Sequence, residues 1–236
     1  MSRRWSLMLL AWVAALVVGT GVLWAQATVP VSEEQVVRGD PTRPNVALVI
    51  NVGAGYEPAV GMLDTLAEKD YRASIFVMGW WAEKYPEILR RMTDDGHEIA
   101  SHGYRAVELT TVSDAAVRED LEQADAAISA VTGRTTRPLW SAFASASDRR
   151  VNRVAASVGY RPIFWTVNAF DWRRDSTAEG VYRQVMNNIV NGAIVELHFD
   201  SPTTIRSTAV ALPWLIDDLR AAGYRLVTIT ELLTSP

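Results

Sequence analysis

The chain has 236 residues, no cysteine and a formal charge of −4. That length holds one ordinary hydrophobic core. The missing cysteines exclude disulfides, thiolate metal sites and cysteine nucleophiles together, so any metal would need Asp, Glu or one of the three histidines, His97, His102 and His198. An acidic chain with no basic run also excludes nucleic acid as a partner.

In chain order, Arg3 and Arg4 precede an apolar stretch from Leu7 to Trp24, and Ala25-Gln26-Ala27 follows as a small-x-small site. Positive, apolar and cleavable in sequence, residues 1–27 have the layout of a secretory signal peptide. The stretch is also nearly long enough to span a bilayer, so a retained membrane anchor is the alternative. Either way the body is expected outside the cytoplasm, secreted or membrane-anchored in the cell envelope. Residues 28–44, with three prolines and little periodicity, read as a linker. Residues 45–236 read as one domain.

Within that domain the pattern becomes regular. Residues 46–50 are a short apolar, strand-like run. Residues 58–68 carry Ala59, Met62, Leu63 and Leu66 at helical spacing. Residues 73–78 are a second apolar run, and 83–93 a helix closed by Asp95-Gly96. A short strand is expected at 98–101. Ser113 is placed to cap a long helix ending at Gly133. Strands are expected at 138–140, 163–167, 193–197 and 225–229, and helices at 149–157, 177–190 and 208–222. Strands alternate with helices about seven times, which implies parallel strands joined by right-handed crossovers. A doubly wound sheet and a small barrel both satisfy that rhythm. Neither GxGxxG nor GxxxxGK[ST] is present, so nucleotide binding lacks its usual support.

In such folds sites form where strands end. The residues there are Asn51-Val52-Gly53, Ser101-His102-Gly103-Tyr104, Trp140-Ser141, Asn168 to Asp171-Trp172, and Glu196 to Asp200. Two of the three histidines converge on this rim, with Asp171 and Asp200.

The order and spacing of these segments resemble the polysaccharide deacetylase family, the NodB-homology or carbohydrate esterase family 4 (CE4) domain. The resemblance runs from about Val46 to Leu233. It includes Ala73 to Gly79, Gly96-His-Glu-Ile-Ala-Ser-His102, Thr132-Gly133, Phe164 to Trp172, Ile194 to Asp200, and Gly223 to Ile229 followed by Glu231-Leu232. It implies an α/β fold, a distorted (β/α) barrel of about seven parallel strands. It also implies hydrolysis of N-acetyl groups on chitin-like or peptidoglycan glycan. In the family a first-strand Asp-Asp supplies a general base and a metal ligand, and two His complete a site for a divalent metal, usually zinc. An Arg orients the base. A late His, tuned by an Asp, protonates the leaving amine.

The chain departs from that pattern at the base and the metal. Asn51 stands at the base position and Val52 at the metal-ligand Asp. His102 matches the first metal His, while the second falls on Ala106 and the orienting Arg on Trp140. One vestigial ligand of three is an incomplete zinc site, so no cofactor is expected. Loss of the base would leave an orienting Arg buried and unpaired, so the two losses belong together. His198 and Asp171 keep the acid half. Asn51 to Glu57 is also similar to a divergent, sporulation-associated branch of the family, with Gly55 and Glu57 in matching places.

Period-2 alternation puts Ile194, Glu196 and His198 on one strand face. If His198 faces the barrel interior, so does Glu196, and a buried Glu needs a partner. A rim residue such as His102 is the expected one. Glu57 and Glu108 are surrogate carboxylates on loops. Trp81 is expected half exposed at a helix start, Trp165 in the core, and Trp140 in the former active site as plug or stacking floor. The pocket set is thus Trp140, Glu196 and Glu57.

Three readings follow from these residues. One is an exported, deacetylase-like pseudoenzyme that binds N-acetylated glycan or acts as a scaffold. The second is an active hydrolase of non-peptide C–N bonds, rewired around His198 and Asp171. The third is a protein-interaction module on a barrel platform. The missing base, ligands and Arg favour the first.

Overall fold

The computed structural model describes residues 29–234; the expected signal or anchor, residues 1–27, lies outside them. Among the described residues no helix is long and apolar enough to cross a membrane.

The centre of the fold is β1 (Asn45–Val52), whose eight residues are all buried. A strand covered on both faces reads as a continuous apolar run, as this one does. It is followed by α1 (Gly61–Glu68), β2 (Ser74–Val77), α2 (Gly79–Lys84), α3 (Pro86–Asp94), β3 (Glu98–Ser101), α4 (Asp114–Thr132) and β4 (Leu139–Trp140). The second half runs α5 (Arg149–Ser157), β5 (Arg161–Pro162), β6 (Val167–Asn168), α6 (Ala178–Met186), β7 (Ile194–His198), α7 (Thr208–Ala221), β8 (Arg225–Leu226) and α8 (Ile229–Thr234). The strands lie in the order β5-β4-β3-β2-β1-β7-β6, with β8 also on β1, and the pairings are parallel. This is the curled sheet of a distorted (β/α) barrel.

Alternation along β1 sorts its side chains between two cores. Val46, Leu48, Ile50 and Val52 pack outward on the helices. Ala47 and Val49 point inward with Phe76, Ala100, Leu139 and Ile194. Asn51 continues the inward row to the carboxyl end of the strand.

β5 and β6 are not paired with each other, so the barrel has a seam. Residues 36–39, read as part of a linker, close it. Val36 N–H donates to Pro162 O at 2.9 Å and Phe164 N–H to Val36 O at 2.7 Å. Gly39 N–H donates to Gly192 O at 2.8 Å on the β7 side. Val29 and Val36 are buried in the inner core. Two short bridges carry no periodicity, which is why this segment reads as linker in sequence.

Four other local expectations are corrected. The helix expected at 83–93 is two helices, α2 and α3. Pro86 starts the second, and the residue before a proline is pushed out of helical geometry, as Tyr85 is at φ −128°, ψ 54°. Trp81 consequently lies inside α2 and is fully buried, not half exposed. The strand expected at 163–167 is replaced by β5 and β6 on either side of it. The last expected strand ends at Leu226, and α8 follows, its first backbone N–H groups held by the Glu98 carboxylate. The long helix matches its caps: the Ser113 hydroxyl accepts from Ala116 N–H and Gly133 closes the helix at φ 70°.

Trp140 is wholly buried outside the barrel, in a core with Leu109, Val117, Leu121, Val151 and Tyr160 between the sheet and the α4–α5 layer. Trp140→Ala should therefore destabilise the protein by about 3–5 kcal/mol in denaturant unfolding, the range for emptying a large aromatic site. A loss below about 1 kcal/mol would contradict this packing.

Candidate functional site

At the carboxyl ends of the strands a cleft of about 380 Å³ opens among the inward rows. Asn51, His102, Glu196 and His198 meet there, with Asn168, Met78 and Val52 around them and Phe143 and Trp172 on the walls. β1 delivers Asn51, β7 delivers both Glu196 and His198, and the loops after β3 and β6 deliver His102 and Asp171.

The acid half assembles as expected. Asp171 has no exposed surface. Its Oδ1 lies 2.7 Å from His198 Nδ1, and its Oδ2 accepts from His198 N–H at 2.8 Å and from the Thr208 hydroxyl at 2.6 Å. Nδ1 therefore carries its proton toward Asp171, and Nε2 is the ring edge left for the cleft. Burial pushes the His198 imidazolium down, but the Asp171 charge and hydrogen bond, helped by Glu196 and Asp200, raise it to about 9.

The rest of the floor is a chain of hydrogen bonds from His102 to Glu196. His102 Nδ1 lies 3.0 Å from Ser141 O and 2.8 Å from Ser141 Oγ. A carbonyl oxygen only accepts, so Nδ1 is the donor and Nε2 keeps its lone pair. Burial, with the charge of His198, holds His102 down at about 3 despite that hydrogen bond. Ser141 Oγ donates to Asn51 Oδ1 at 3.3 Å, and Asn51 Nδ2 donates to Glu196 Oε1 at 2.9 Å. Glu196 is buried, 4% exposed, as its strand face requires. Its partner is Asn51, not His102: the β1–β7 register sets Asn51 beside His198, one inward position along from Glu196. Burial first, then the Asp171 charge, lift Glu196 to about 7 against the pull of His198, Asn51 and Asn168. Glu196 Oε2 has no hydrogen bond of ordinary geometry.

Two expected pocket residues are elsewhere. Trp140 points away from the cleft. β4 alternates, so Leu139 and Ser141 face inward and Trp140 outward. The residue that faces the Asn51 amide is Ser141, the next along the chain. Glu57 is exposed on the β1 loop beside Arg206 and Ile205, outside the cleft; Glu108 is exposed as well. Trp172, 47% exposed, is the rim tryptophan that lines the cleft. Trp165 packs against the inner core, stacked on Phe164.

Buried carboxylates pin the loops around the cleft. Asp200 accepts from Gly53, Ala54 and Gly55 N–H at 2.9–3.0 Å. Asp120 Oδ2 accepts from Tyr104 N–H at 2.9 Å. Gly53 (φ 128°) must be glycine, since a Cβ there would meet Met78 at 2.6 Å.

The residues present do not fit a resident divalent metal. Val52 and Ala106 offer no donor atom, and among the described residues no group of three His, Asp or Glu stands together to hold an ion. His102 alone keeps a free ring nitrogen, where such sites use three or four protein ligands.

A curled parallel (β/α) barrel with a His–Asp pair at its strand ends has the architecture of the polysaccharide deacetylase family. The polysaccharide deacetylase family profile matches residues 38–163, more than half of the chain, and the chain belongs to that family. It is 31% identical over 201 residues to the Bacillus subtilis protein YlxY, covering 85% of this chain and 60% of that one. It is 29% identical over 185 residues to the B. subtilis peptidoglycan-N-acetylmuramic acid deacetylase PdaA, covering 76% and 66%. The chain thus spans less than two thirds of the length of either relative. Among solved structures it is similar to BA3943, a CE4 family pseudoenzyme from Bacillus anthracis, at TM-score 0.78 and 29% identity over 85% of this chain and 69% of that one. A mutant of that pseudoenzyme with restored enzymatic activity matches at TM-score 0.78.

The His198 shift has a testable sign. A raised folded-state value stabilises the protein fully below the ordinary 6.5 and is lost as pH rises through about 9. Unfolding free energy should therefore fall as pH rises from about 6.5 to about 9, and His198→Gln should flatten the part of that fall above about pH 8, where Glu196 at about 7 no longer titrates. An imidazole NMR titration of His198 near the ordinary 6.5 would remove the charge pairing from the site.

Proposed function

We propose that this protein is an extracytoplasmic member of the deacetylase family that binds the glycan of peptidoglycan or chitin-like polymers without metal-dependent deacetylation. The observation that carries the reading is the hydrogen-bond chain His102–Ser141–Asn51–Glu196, which holds an amide at the base position with a serine hydroxyl against it, while Val52 and Ala106 stand at metal-ligand positions. An Asn amide takes no proton from water, and a cleft without a metal has no Lewis acid for the acetamide carbonyl. The cleft itself persists, walled by Trp172 and Phe143, which suit a sugar ring's apolar face. The family relationship supplies the ligand class, N-acetylated glycan. The envelope location rests on the N-terminal segment and on relatives such as PdaA, named for peptidoglycan. A scaffold role in wall assembly is compatible with the same cleft.

The deciding measurement is acetate release from acetylated chitooligosaccharides and peptidoglycan with zinc added, with His198→Ala alongside. Background-level release in both, together with calorimetric binding of the oligosaccharide, is the expected outcome. Release that disappears in His198→Ala would instead establish the rewired hydrolase.

A second expectation concerns the lost ligands. Val52→Asp with Ala106→His beside His102 restores three donor residues, so zinc binding by titration should rise well above wild type. Acetate release should need Asn51→Asp as well. Zinc binding unchanged by the double substitution would show that the loops no longer bring these positions together.

A further inference from the structure

The cleft holds an unmatched charge. Among the residues lining it there is no lysine and no arginine. The charge on His198 is matched by Asp171 at 2.7 Å. Asp200 is answered by three backbone N–H groups. Glu196 takes a hydrogen bond from Asn51 and shares the His198 ring with Asp171, its Oε1 lying 4.0 Å from His198 Nε2, so two carboxylates face one cation. His102 adds a second acceptor, since its Nδ1 donates to Ser141 and its Nε2 keeps a lone pair. The floor therefore offers two acceptors, Glu196 and His102, and one carboxylate more than it has cations. A neutral acetamide brings one N–H to such a floor and a carbonyl oxygen with it. An ammonium brings three N–H donors and the missing charge. Trp172 at the rim adds an aromatic face, which attracts cations as well as sugar rings.

We propose that the sugar unit seated over Glu196 carries a free amine, so that the cleft recognises glycan from which N-acetyl groups have been removed. The proposal rests on the glycan-binding reading above and narrows it. The ligand is then the product of an amide hydrolysis, in which acetamide and water give amine and acetate. A separate, active hydrolase must supply it. Glu196 is a binding residue in this account, and the Asn51 and Asn168 amides beside it on β1 and β6 position its carboxylate.

The test compares, by calorimetry on the full chain, a fully N-acetylated chitotetraose with one bearing a single free amine, at a pH where that amine is protonated. Wild type is expected to bind the amine form about tenfold more tightly, the effect of one charge-assisted hydrogen bond. Glu196→Gln keeps the shape and the Asn51 contact and should erase the difference between the two forms. A cooperative thermal unfolding transition like that of wild type shows the variant to be folded. Equal affinities in wild type, or tighter binding of the acetylated form, overturn the inference and leave the glycan reading standing. A preference for the amine that survives Glu196→Gln assigns it to the acidic surface at large and also overturns the inference. If neither oligosaccharide binds, the glycan reading fails and this one with it.

Discussion

Asp171 takes three donors on a carboxylate with no exposed surface: the His198 ring, the His198 backbone N–H and the Thr208 hydroxyl. Its backbone oxygen accepts from Ser201 and Thr203 as well. One side chain thus joins the loop after β6, the end of β7 and the first residue of α7. A desolvated carboxylate is tolerated only when its oxygens are occupied, and removing any partner exposes the cost of the rest. The persistence of this pair therefore has a structural reason independent of catalysis. His198 is held in place by what it does for the barrel's upper rim.

The same logic explains how the rim stands without a metal. An ion that bridges loops also anchors them. Here Asp200 anchors the loop after β1 through three amides, and Asp120 anchors the loop after β3 through Tyr104. The interior substitutions agree with one another. With Asn51 neutral, a buried arginine opposite it would have no counter-charge, and Ser141 makes the contact instead. Beside the apolar Val52, His102 stays fixed by its Nδ1 proton on Ser141. The exception is Glu196, whose Oε2 has no hydrogen-bond partner.

Much of the fold can be read in the sequence because its strongest signals are local. The apolar run of β1, the Ser113 and Gly133 caps of α4 and the order of strands and helices all lie in short windows. The His198–Asp171 pair and the inward face of Glu196 were also legible, through family position and period-2 alternation. What escaped depends on contacts distant in sequence or on a shift of one residue. Ser141 was missed because a count along a loop cannot say which of two adjacent strand residues faces inward. The partner of Glu196 was misassigned because register between β1 and β7 is a property of the sheet, set across 145 residues of chain. Glu57 and Trp172 show the limit for loops, where a motif position gives no direction. The break at Tyr85 was visible in Pro86, but the helical spacing on either side of it masked the signal.

The clasp across the seam has a mechanical consequence. The barrel's edges do not meet directly; residues 36–39 lie between them, bonded to Pro162 and Phe164 on one side and to Gly192 on the other. These residues are also the stretch of chain that leads into β1. Tension arriving from the N-terminal side would reach this clasp before it reached the central strand, and peeling the clasp away would loosen the barrel along its seam. That seam runs between β5 and β6; the clasp reaches β7 through Gly192, and β7 carries Glu196 and His198 to the cleft. A chain tethered at its N-terminal side would thus feel a pull in the same strand that forms its binding floor.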